Sequence, residues 1–257
     1  MKVRNVLEWL DALAPLETAE GFDNVGLLMG DADAAVERVL VCMDVTCDVA
    51  AQAVQTGAQL IVSHHPFIFS ALKRIDYSGP QGRTLQTLAA AGVSVLAGHT
   101  NWDKAPGGVS DSLAEALGLM EVRSGDDYLR VGRLPSPLTR EAFRARVEKA
   151  LHAMAPLYGP AHSIVRVAVA GGAYGEGAAL AHALGADAFV VGEARHHELV
   201  DACQRGLTVC VAGHYATELP GVAALCKRFE ADARAAGWPV QACLHSSPPY
   251  EGALLAP

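Results

Sequence analysis

Residues 60–66 have the sequence LIVSHHP, in which an apolar run leads directly into two adjacent histidines. The run at 60–62 shows no polar alternation, which is typical of a strand in a sheet covered on both faces. Pro66 disfavours helical backbone at His65, so His64 and His65 should follow the strand in an extended or turned conformation. The stretch therefore predicts a buried strand that ends in two imidazoles.

Apolar runs of strand length alternate with helical patterns along nearly the whole chain, and this alternation predicts an α/β fold. The first helix lies at the amino terminus, where Leu7, Leu10 and Leu13 have helical spacing. Further strands are expected at residues 39–43, 60–62, 93–97, 128–134, 164–170, 188–191, 207–212 and 240–244. Further helices are expected at residues 47–56, 84–91, 110–117, 139–152 and 218–235.

A polar segment at residues 121–127, which contains Gly125, is the best candidate for a domain boundary. The strand and helix pattern starts again after it. We therefore predict two α/β lobes, each with a sheet flanked by helices. The N-terminal lobe covers residues 1–124, the second lobe covers residues 125–257, and the segment 207–257 is expected to contribute ligands to the first.

Composition excludes several classes of protein. The chain has 257 residues, of which 51% are hydrophobic and 19% charged, so it is not a disordered protein. A net charge of −8 argues against nucleic-acid binding, because such affinity comes largely from Lys and Arg. No stretch is apolar enough to span a bilayer, and Glu8 and Asp11 interrupt any signal peptide. The six cysteines form no C-x-x-C pair and indicate reduced core residues of a cytoplasmic protein.

Polar residues cluster after three of the predicted strands, at 63–66, 98–103 and 213–218. Ligands of open α/β sheets bind just beyond the carboxyl ends of strands, so a site is expected there. These loops carry five imidazole and carboxylate groups: His64, His65, Asp103, His214 and Glu218. Such a set suits Zn, Mn, Fe or Ni. A single histidine after a strand is more often a surface residue, but three such loops together favour a metal site.

Five ligands are more than a single metal ion with an open coordination position needs. They are few for two ions unless one carboxylate bridges both ions. Glu218 is the candidate for that bridge. His214 and Glu218 stand four residues apart, so a helical turn would place them on one face. Cys42 and Cys210 lie inside predicted strands and are interpreted as core residues rather than ligands. The ion identity stays open on this reasoning.

Two other segments are weaker candidates. The glycine-rich stretch 171–177 matches no phosphate-binding motif and is interpreted as a flexible turn, although its N–H groups could receive an anion. The segment 192–198 contains Glu193, His196 and His197, which follow a strand. It is either a substrate contact or a solvated helix start, and spacing does not decide between the two.

The chain resembles the Nif-three-like family of dinuclear-metal proteins, which are often described as homologues of GTP cyclohydrolase type two. The resemblance spans nearly the whole chain. It rests on five segments in the same order: FDNVGL at 22–27, where the family usually has Trp at position 22, SHHP at 63–66, GHTNWD at 98–103, GEARHH at 192–197 and GHYATE at 213–218.

The resemblance implies a two-lobed Nif-three-like fold and a homohexameric toroid with metal sites facing an internal cavity. It implies two divalent metal ions per chain, with Glu218 as the bridging ligand and His99 in the surrounding shell that holds a ligand or a metal-bound water. The ligands it carries over are His64, His65, Asp103, His214 and Glu218. Because residues 121–127 join the lobes directly, the inserted third domain of some members is expected to be absent.

Two functions fit these expectations. The first is a metal-dependent hydrolase, similar to GTP cyclohydrolase 1 type 2, that uses a metal-activated water on a nucleotide or phosphoester substrate. Glu193, His196 and His197 are then the candidates for acid–base or substrate-binding groups. The alternative is a non-catalytic metal-handling or interaction protein with the same ligands. A nucleic-acid clamp, suggested by the toroid, fits the composition worst, and no membrane partner is expected.

Overall fold

The structure is a computed structural model that describes residues 1–160 and 163–250. Its strands are β1 (Gly26–Met29), β2 (Arg38–Cys42), β3 (Leu60–Ser63), β4 (Ser94–Ala97), β5 (Met120–Ser124), β6 (Arg130–Leu138), β7 (Leu157–Tyr158), β8 (Ile164–Ala173), β9 (Ala188–Glu193), β10 (Thr208–Val211) and β11 (Gln241–Leu244). Its α-helices are α1 (Val3–Leu13), α2 (Cys47–Thr56), α3 (Pro80–Ala90), α4 (Thr100–Lys104), α5 (Val109–Ala116), α6 (Arg140–Leu151), α7 (Ala178–Ala183), α8 (His196–Gln204) and α9 (His214–Ala235). The mixed α/β class is confirmed.

The chain folds as two compact units. Unit 1 consists of Met1–Ala105 and Val222–Pro249, and unit 2 contains Pro106–Gly221. The chain therefore changes unit after Ala105 and again within α9, and the polar segment 121–127 lies inside unit 2 rather than between units.

Unit 1 contains a five-stranded sheet with the order β1-β4-β3-β2-β11. All its neighbouring strands pair in parallel except β1, which pairs antiparallel to β4 at the edge. Helices α2 and α3 cover one face, where Ala53 and Leu88 join the same buried cluster as Ile61 and Val95. Because β3 and β4 are parallel neighbours, the residues that follow them lie at one edge of the sheet, as predicted.

Unit 2 contains a six-stranded sheet with the order β5-β6-β8-β9-β10-β7. Strands β8, β9 and β10 are parallel and carry the continuous apolar runs, whereas the flanking pairs are antiparallel. Phe143 of α6 lies in the cluster on one face, and Ala181 of α7 and Ala202 of α8 lie in the cluster on the other. Both faces are covered, which explains the lack of alternation in these strands.

Helix ends follow the local sequence. The Thr46 side chain accepts a hydrogen bond from the Val49 N–H at the start of α2, and Gly57 ends that helix with a φ of 66°. Thr139 caps α6 in the same way, accepting from the Ala142 N–H. In these two helices a threonine hydroxyl satisfies an N–H group that has no partner within the helix.

Strands β5 and β8 differ from what the sequence predicts. Strand β5 (Met120–Ser124) occupies much of the segment that was expected to be a linker. All five of its residues are exposed. It is nevertheless a strand, because an edge strand can pair with its neighbour β6 through backbone hydrogen bonds without an apolar face. The flexible turn expected at 171–177 begins inside β8, which runs through Gly171 and Gly172 to Ala173. The register shifts between Ala170 and Ala173, so these glycines form an irregularity within a paired strand.

Within the two described ranges, no helix has both the length and the apolar character needed to cross a lipid bilayer. All six cysteines carry free thiols. Cys42, Cys210 and Cys226 are buried as expected, but Cys243 is exposed and does not belong to the core.

Candidate metal centre

The backbone of His64 and His65 is fixed by the sheet of unit 1. The His64 N–H donates to the Cys42 carbonyl at 3.0 Å, and the His65 N–H donates to the Met43 carbonyl at 2.9 Å. The Ser63 hydroxyl donates to the His65 carbonyl at 2.8 Å. The β2–β3 pairing is thus extended by two further bonds, which hold both histidines directly beyond the strand.

Each of the two imidazoles is oriented through its Nδ1 atom. His64 Nδ1 lies 3.1 Å from the Gly98 carbonyl oxygen, and His65 Nδ1 lies 2.7 Å from Asp44 Oδ1. Both partners are acceptors, so Nδ1 is the protonated nitrogen of each neutral ring and Nε2 carries the lone pair. This arrangement, in which a carbonyl or carboxylate fixes the tautomer of a metal-binding histidine, is common in metal sites.

His99 lies beside these two histidines. Its ring centroid is 5.3 Å from that of His64 and 5.5 Å from that of His65, and one ligand atom from each ring falls within 4.8 Å of the others. His99 Nδ1 lies 2.9 Å from Asp23 Oδ1. The three rings are therefore close enough for His99 to contact the same ion, and its assignment to the surrounding shell stays a prediction.

Asp23 is an ionised acceptor for this group. Burial alone would raise its pKa, but hydrogen bonds from His99 and Thr100 outweigh burial and hold the pKa of Asp23 well below its usual range. The Thr100 hydroxyl and N–H donate to Asp23 Oδ2 at 2.5 and 3.1 Å. Asp23 thereby fixes both the His99 ring and the start of α4.

Helix α4 places Asp103 opposite His64. The Asn101 amide donates to the Ala14 carbonyl at 2.7 Å, and Trp102 is buried, so this short helix is held on both sides. His64 Nε2 lies 3.5 Å from Asp103 Oδ1. Two donors of one tetrahedral ion with bonds of about 2.0–2.1 Å lie about 3.4 Å apart. The pair therefore has the spacing of two ligands to a single ion.

Unit 2 contains a second pair of donors, on α9. His214 and Glu218 are one helical turn apart, and His214 Nε2 lies 3.1 Å from Glu218 Oε1. That separation is close to the value of about 3 Å for neighbouring donors of an octahedral ion. His214 Nδ1 lies 2.8 Å from Glu193 Oε1, so this ring is also oriented by a carboxylate. The prediction that His214 and Glu218 share a helix face is confirmed.

The glycines of β8 make room for Glu218, whose side chain is only 5% exposed. A Cβ added to Gly172 would lie 2.2 Å from Glu218 Oε1 and 3.4 Å from His214 Nε2. The Gly172 N–H donates to the Thr217 hydroxyl at 3.1 Å. The Glu218 carboxylate therefore packs directly against the backbone of Gly172. This close packing restricts its position, as is expected for a metal ligand.

The three candidate catalytic residues are separated by the structure. Glu193 contacts His214 and adjoins a cavity of about 400 Å³ that is also lined by Arg195 and Glu198. His196 and His197 form the exposed first turn of α8 and take no part in the His214 contacts described above. Segment 192–198 is therefore partly a solvated helix start, and a substrate role for the two histidines stays a prediction.

The thiols do not compete as ligands. Burial raises the pKa of Cys42 and Cys210 far above its ordinary value, so neither forms a thiolate at neutral pH. Both lie inside strands, as the sequence predicts. The available donors are nitrogen and oxygen, which fits Zn, Mn, Fe or Ni.

Sequence reasoning missed Asp23 and Asp44, which orient His99 and His65. A signal existed for Asp44, because it follows β2 just as His65 follows β3, and parallel neighbouring strands bring such positions together. Asp23 lies before β1, and only the antiparallel pairing of β1 with β4 brings it near His99.

We expect the substitutions Asp44→Asn and Glu193→Gln to weaken metal binding by about 10- to 100-fold each, because they remove the negative charge that makes the partner imidazole a stronger donor. Calorimetric titration of the metal-free chain with Zn²⁺ or Mn²⁺ measures the change. Asp33→Asn is the matched control, since this exposed carboxylate pairs with Lys2 at the surface. Unchanged affinity in both test variants would contradict the orienting role.

Comparison with known proteins gives consistent matches. The profile of the family described as Duf34/NIF3 (NGG1p interacting factor 3) matches residues 1–248. A Streptomyces coelicolor protein named GTP cyclohydrolase 1 type 2 homolog is 37% identical over 234 residues, covering 85% of this chain and 82% of the relative. A Clostridium perfringens protein of the same name is 29% identical over 231 residues, covering 86% of this chain and 88% of the relative.

The fold has solved counterparts. The crystal structure of a Bacillus cereus protein related to NIF3 superposes with a TM-score of 0.94 and covers 98% of both chains. Sequence identity in that pair is 21%, so this likeness concerns the fold alone. The prediction of two sheets flanked by helices in this fold is confirmed.

Proposed function

Because the chain belongs to the Duf34/NIF3 family, we propose that it binds two divalent metal ions and hydrolyses a nucleotide or other phosphoester substrate. The proposed ligands are His64, His65, Asp103, His214 and Glu218, with Glu218 as the bridge. His99 completes the site as a residue that holds a ligand or a bound water.

One observation carries this proposal: each unit holds an imidazole and a carboxylate at the separation of two ligands to one ion. The distance is 3.5 Å for His64 and Asp103 in unit 1 and 3.1 Å for His214 and Glu218 in unit 2. Neither carboxylate is widely exposed. Two such pairs, in each of which the histidine is oriented by a hydrogen bond that its Nδ1 donates, are more than structural histidines require.

The chain's own residues set the electrostatics of the site. Three neutral imidazoles and two carboxylates carry two negative charges, which is fewer than the four positive charges of two divalent cations. The carboxylates of Asp44 and Glu193, which orient two of the histidines, cancel the remaining positive charge, so direct coordination to the cations rather than net charge is what would bind an anionic substrate. When bound, the cations supply Lewis acidity and a water whose pKa is lowered toward neutrality.

Each proposed ligand histidine is positioned by a hydrogen bond that its Nδ1 atom donates. The acceptor is the Gly98 carbonyl for His64, the Asp44 carboxylate for His65 and the Glu193 carboxylate for His214. The name shared by the two bacterial relatives supports a nucleotide as substrate and a ring-opening hydrolysis as one form of the reaction. Attack at phosphorus in a phosphoester is the other form, and the same ligands suit both.

The test is removal and restoration of metal. The full chain is stripped with a chelator and assayed with GTP and with p-nitrophenyl phosphate, before and after addition of Zn²⁺, Mn²⁺ or Fe²⁺. We expect turnover of at least one substrate that disappears on stripping and returns with metal. Absence of turnover with every metal, together with rapid loss of metal to a weak chelator, would refute the hydrolase proposal and favour a metal-handling protein.

A further inference from the structure

Two phenylalanines of unit 1 are exposed next to each other. Phe22 is 68% exposed and Phe69 is 48% exposed. Their ring centroids lie 6.4 Å apart with an interplanar angle of 56°. Scattered exposed apolar residues are ordinary, whereas these two rings are neighbours and together form one exposed apolar patch.

These rings continue the row of imidazoles described above. The Phe69 ring lies 6.3 Å from that of His99, edge to face at 81°, and His99 lies 5.3 Å from His64. Exposure falls along the row, from Phe22 at the surface to the fully buried His64. A ligand lying on the phenylalanines would therefore be adjacent to the histidines of the proposed metal site.

Polar contacts join the two chain segments that carry the phenylalanines. Asp23, directly after Phe22, accepts hydrogen bonds from His99 and Thr100. The Asn24 amide donates to the Ile68 carbonyl at 2.5 Å, which joins the segment that carries Phe22 to the segment that carries Phe69. The backbone that carries the rings is thus anchored beside the site, which limits how much of the chain must be ordered when a ligand binds.

We propose that Phe22 and Phe69 form an aromatic platform that binds the planar ring of the substrate, the base of a nucleotide. The inference rests on the proposed function, because the histidine row connects the platform to the metal ligands. Bases stack on aromatic side chains with little regard to sequence, whereas a sugar phosphate without a base has no π face to offer. The platform therefore selects nucleotides over simple phosphoesters.

Calorimetry on the metal-loaded full chain tests this, with guanosine 5′-monophosphate and ribose 5-phosphate as matched probes. We expect the wild type to bind the nucleotide at least about 10-fold more tightly than the sugar phosphate. Phe22→Ala and Phe69→Ala should each weaken nucleotide binding by about 5- to 100-fold and leave ribose 5-phosphate binding unchanged. Phe22→Trp should retain the preference, whereas Phe22→Leu, which keeps apolar area without a π face, should lose it.

Val54→Ala is the matched control, because this exposed apolar residue lies on α2 of the same unit and should leave both affinities unchanged. Equal binding of both probes by the wild type would overturn the platform. The platform would also be overturned if Phe22→Ala or Phe69→Ala changed the oligomeric mass measured by light scattering but left the nucleotide affinity unchanged. In that case the two phenylalanines would form a contact between copies of the chain. Metal content measured in parallel separates failure of the platform from failure of the metal site. A chain that binds metal but shows no preference for the nucleotide would refute only the platform. A chain that binds no metal but keeps the preference would refute only the metal site.

Discussion

Glu218→Gln is expected to leave the chain with one metal ion or none after dialysis, and to weaken metal binding by more than about 100-fold. The amide has nearly the same shape but lacks the charge and the second anionic oxygen that a bridging ligand needs. The loss should exceed the 10- to 100-fold effect of removing a carboxylate that only orients a ligand. Elemental analysis of the dialysed protein measures the metal content.

Thermal unfolding distinguishes loss of a ligand from loss of the fold. A neutral amide is cheaper to bury than a carboxylate, so the metal-free variant should be at least as stable as the metal-free wild type. Metal should raise the Tm of the wild type by more than that of the variant, because a ligand that binds the folded state more weakly stabilises it less. Glu176→Gln is the control, since this carboxylate is exposed in the same unit. Two ions retained by the Glu218 variant would refute the bridging role.

Gly172→Ala is expected to destabilise the chain by about 2–4 kcal/mol and to abolish metal binding at the α9 donors. Gly172 has a φ of 62°, which costs an alanine about 1–2 kcal/mol. The added Cβ would also meet Glu218 Oε1 at 2.2 Å, so the carboxylate must leave its position beside His214. Urea unfolding gives the stability, and metal titration gives the affinity.

Gly206→Ala provides a matched control for the backbone term. Gly206 has a φ of 84°, and no atom lies within 4 Å of an added Cβ. The control should therefore lose about 1 kcal/mol of stability and bind metal like the wild type. If the two alanine variants behave alike in metal titration, the close approach of Gly172 to Glu218 has no role in the site.

The strands that were predicted well are those whose burial leaves a mark in the sequence. Strands β3 and β9 are buried on both faces, and their apolar runs reveal them. Strand β5 carries no such run because it is an exposed edge strand, and its polar residues favour a linker. Pairing with a neighbour, which the sequence does not record locally, makes it a strand.

The start of α9 shows a similar limit. Proline is common in the first turn of a helix, so Pro220 favours a start near residue 218. The helix in fact begins at His214, one turn earlier, with Pro220 in its interior. That earlier start is what places His214 and Glu218 on successive turns of a single helix.

The proposed ligand side chains could be selected from the sequence because polar groups gather where strands end. Their supporting contacts were not predicted. Asp44 reaches His65, and Glu193 reaches His214, only through the register of neighbouring strands and the start of a helix. The Asp44–His65 and Glu193–His214 contacts each join residues that are 21 positions apart in the chain. No pattern among sequence neighbours specifies such a contact.

Anomalous diffraction from crystals of the metal-loaded chain, recorded at the absorption edge of the metal found by elemental analysis, tests the proposed dinuclear site most directly. We expect two anomalous peaks per chain at about 2.0–2.2 Å from their donors, with Glu218 bonded to both. The donors should be the side chains of His64, His65, Asp103, His214 and Glu218. Peaks located only elsewhere, for example at the exposed His196 and His197, or no peak at all, would contradict the dinuclear site.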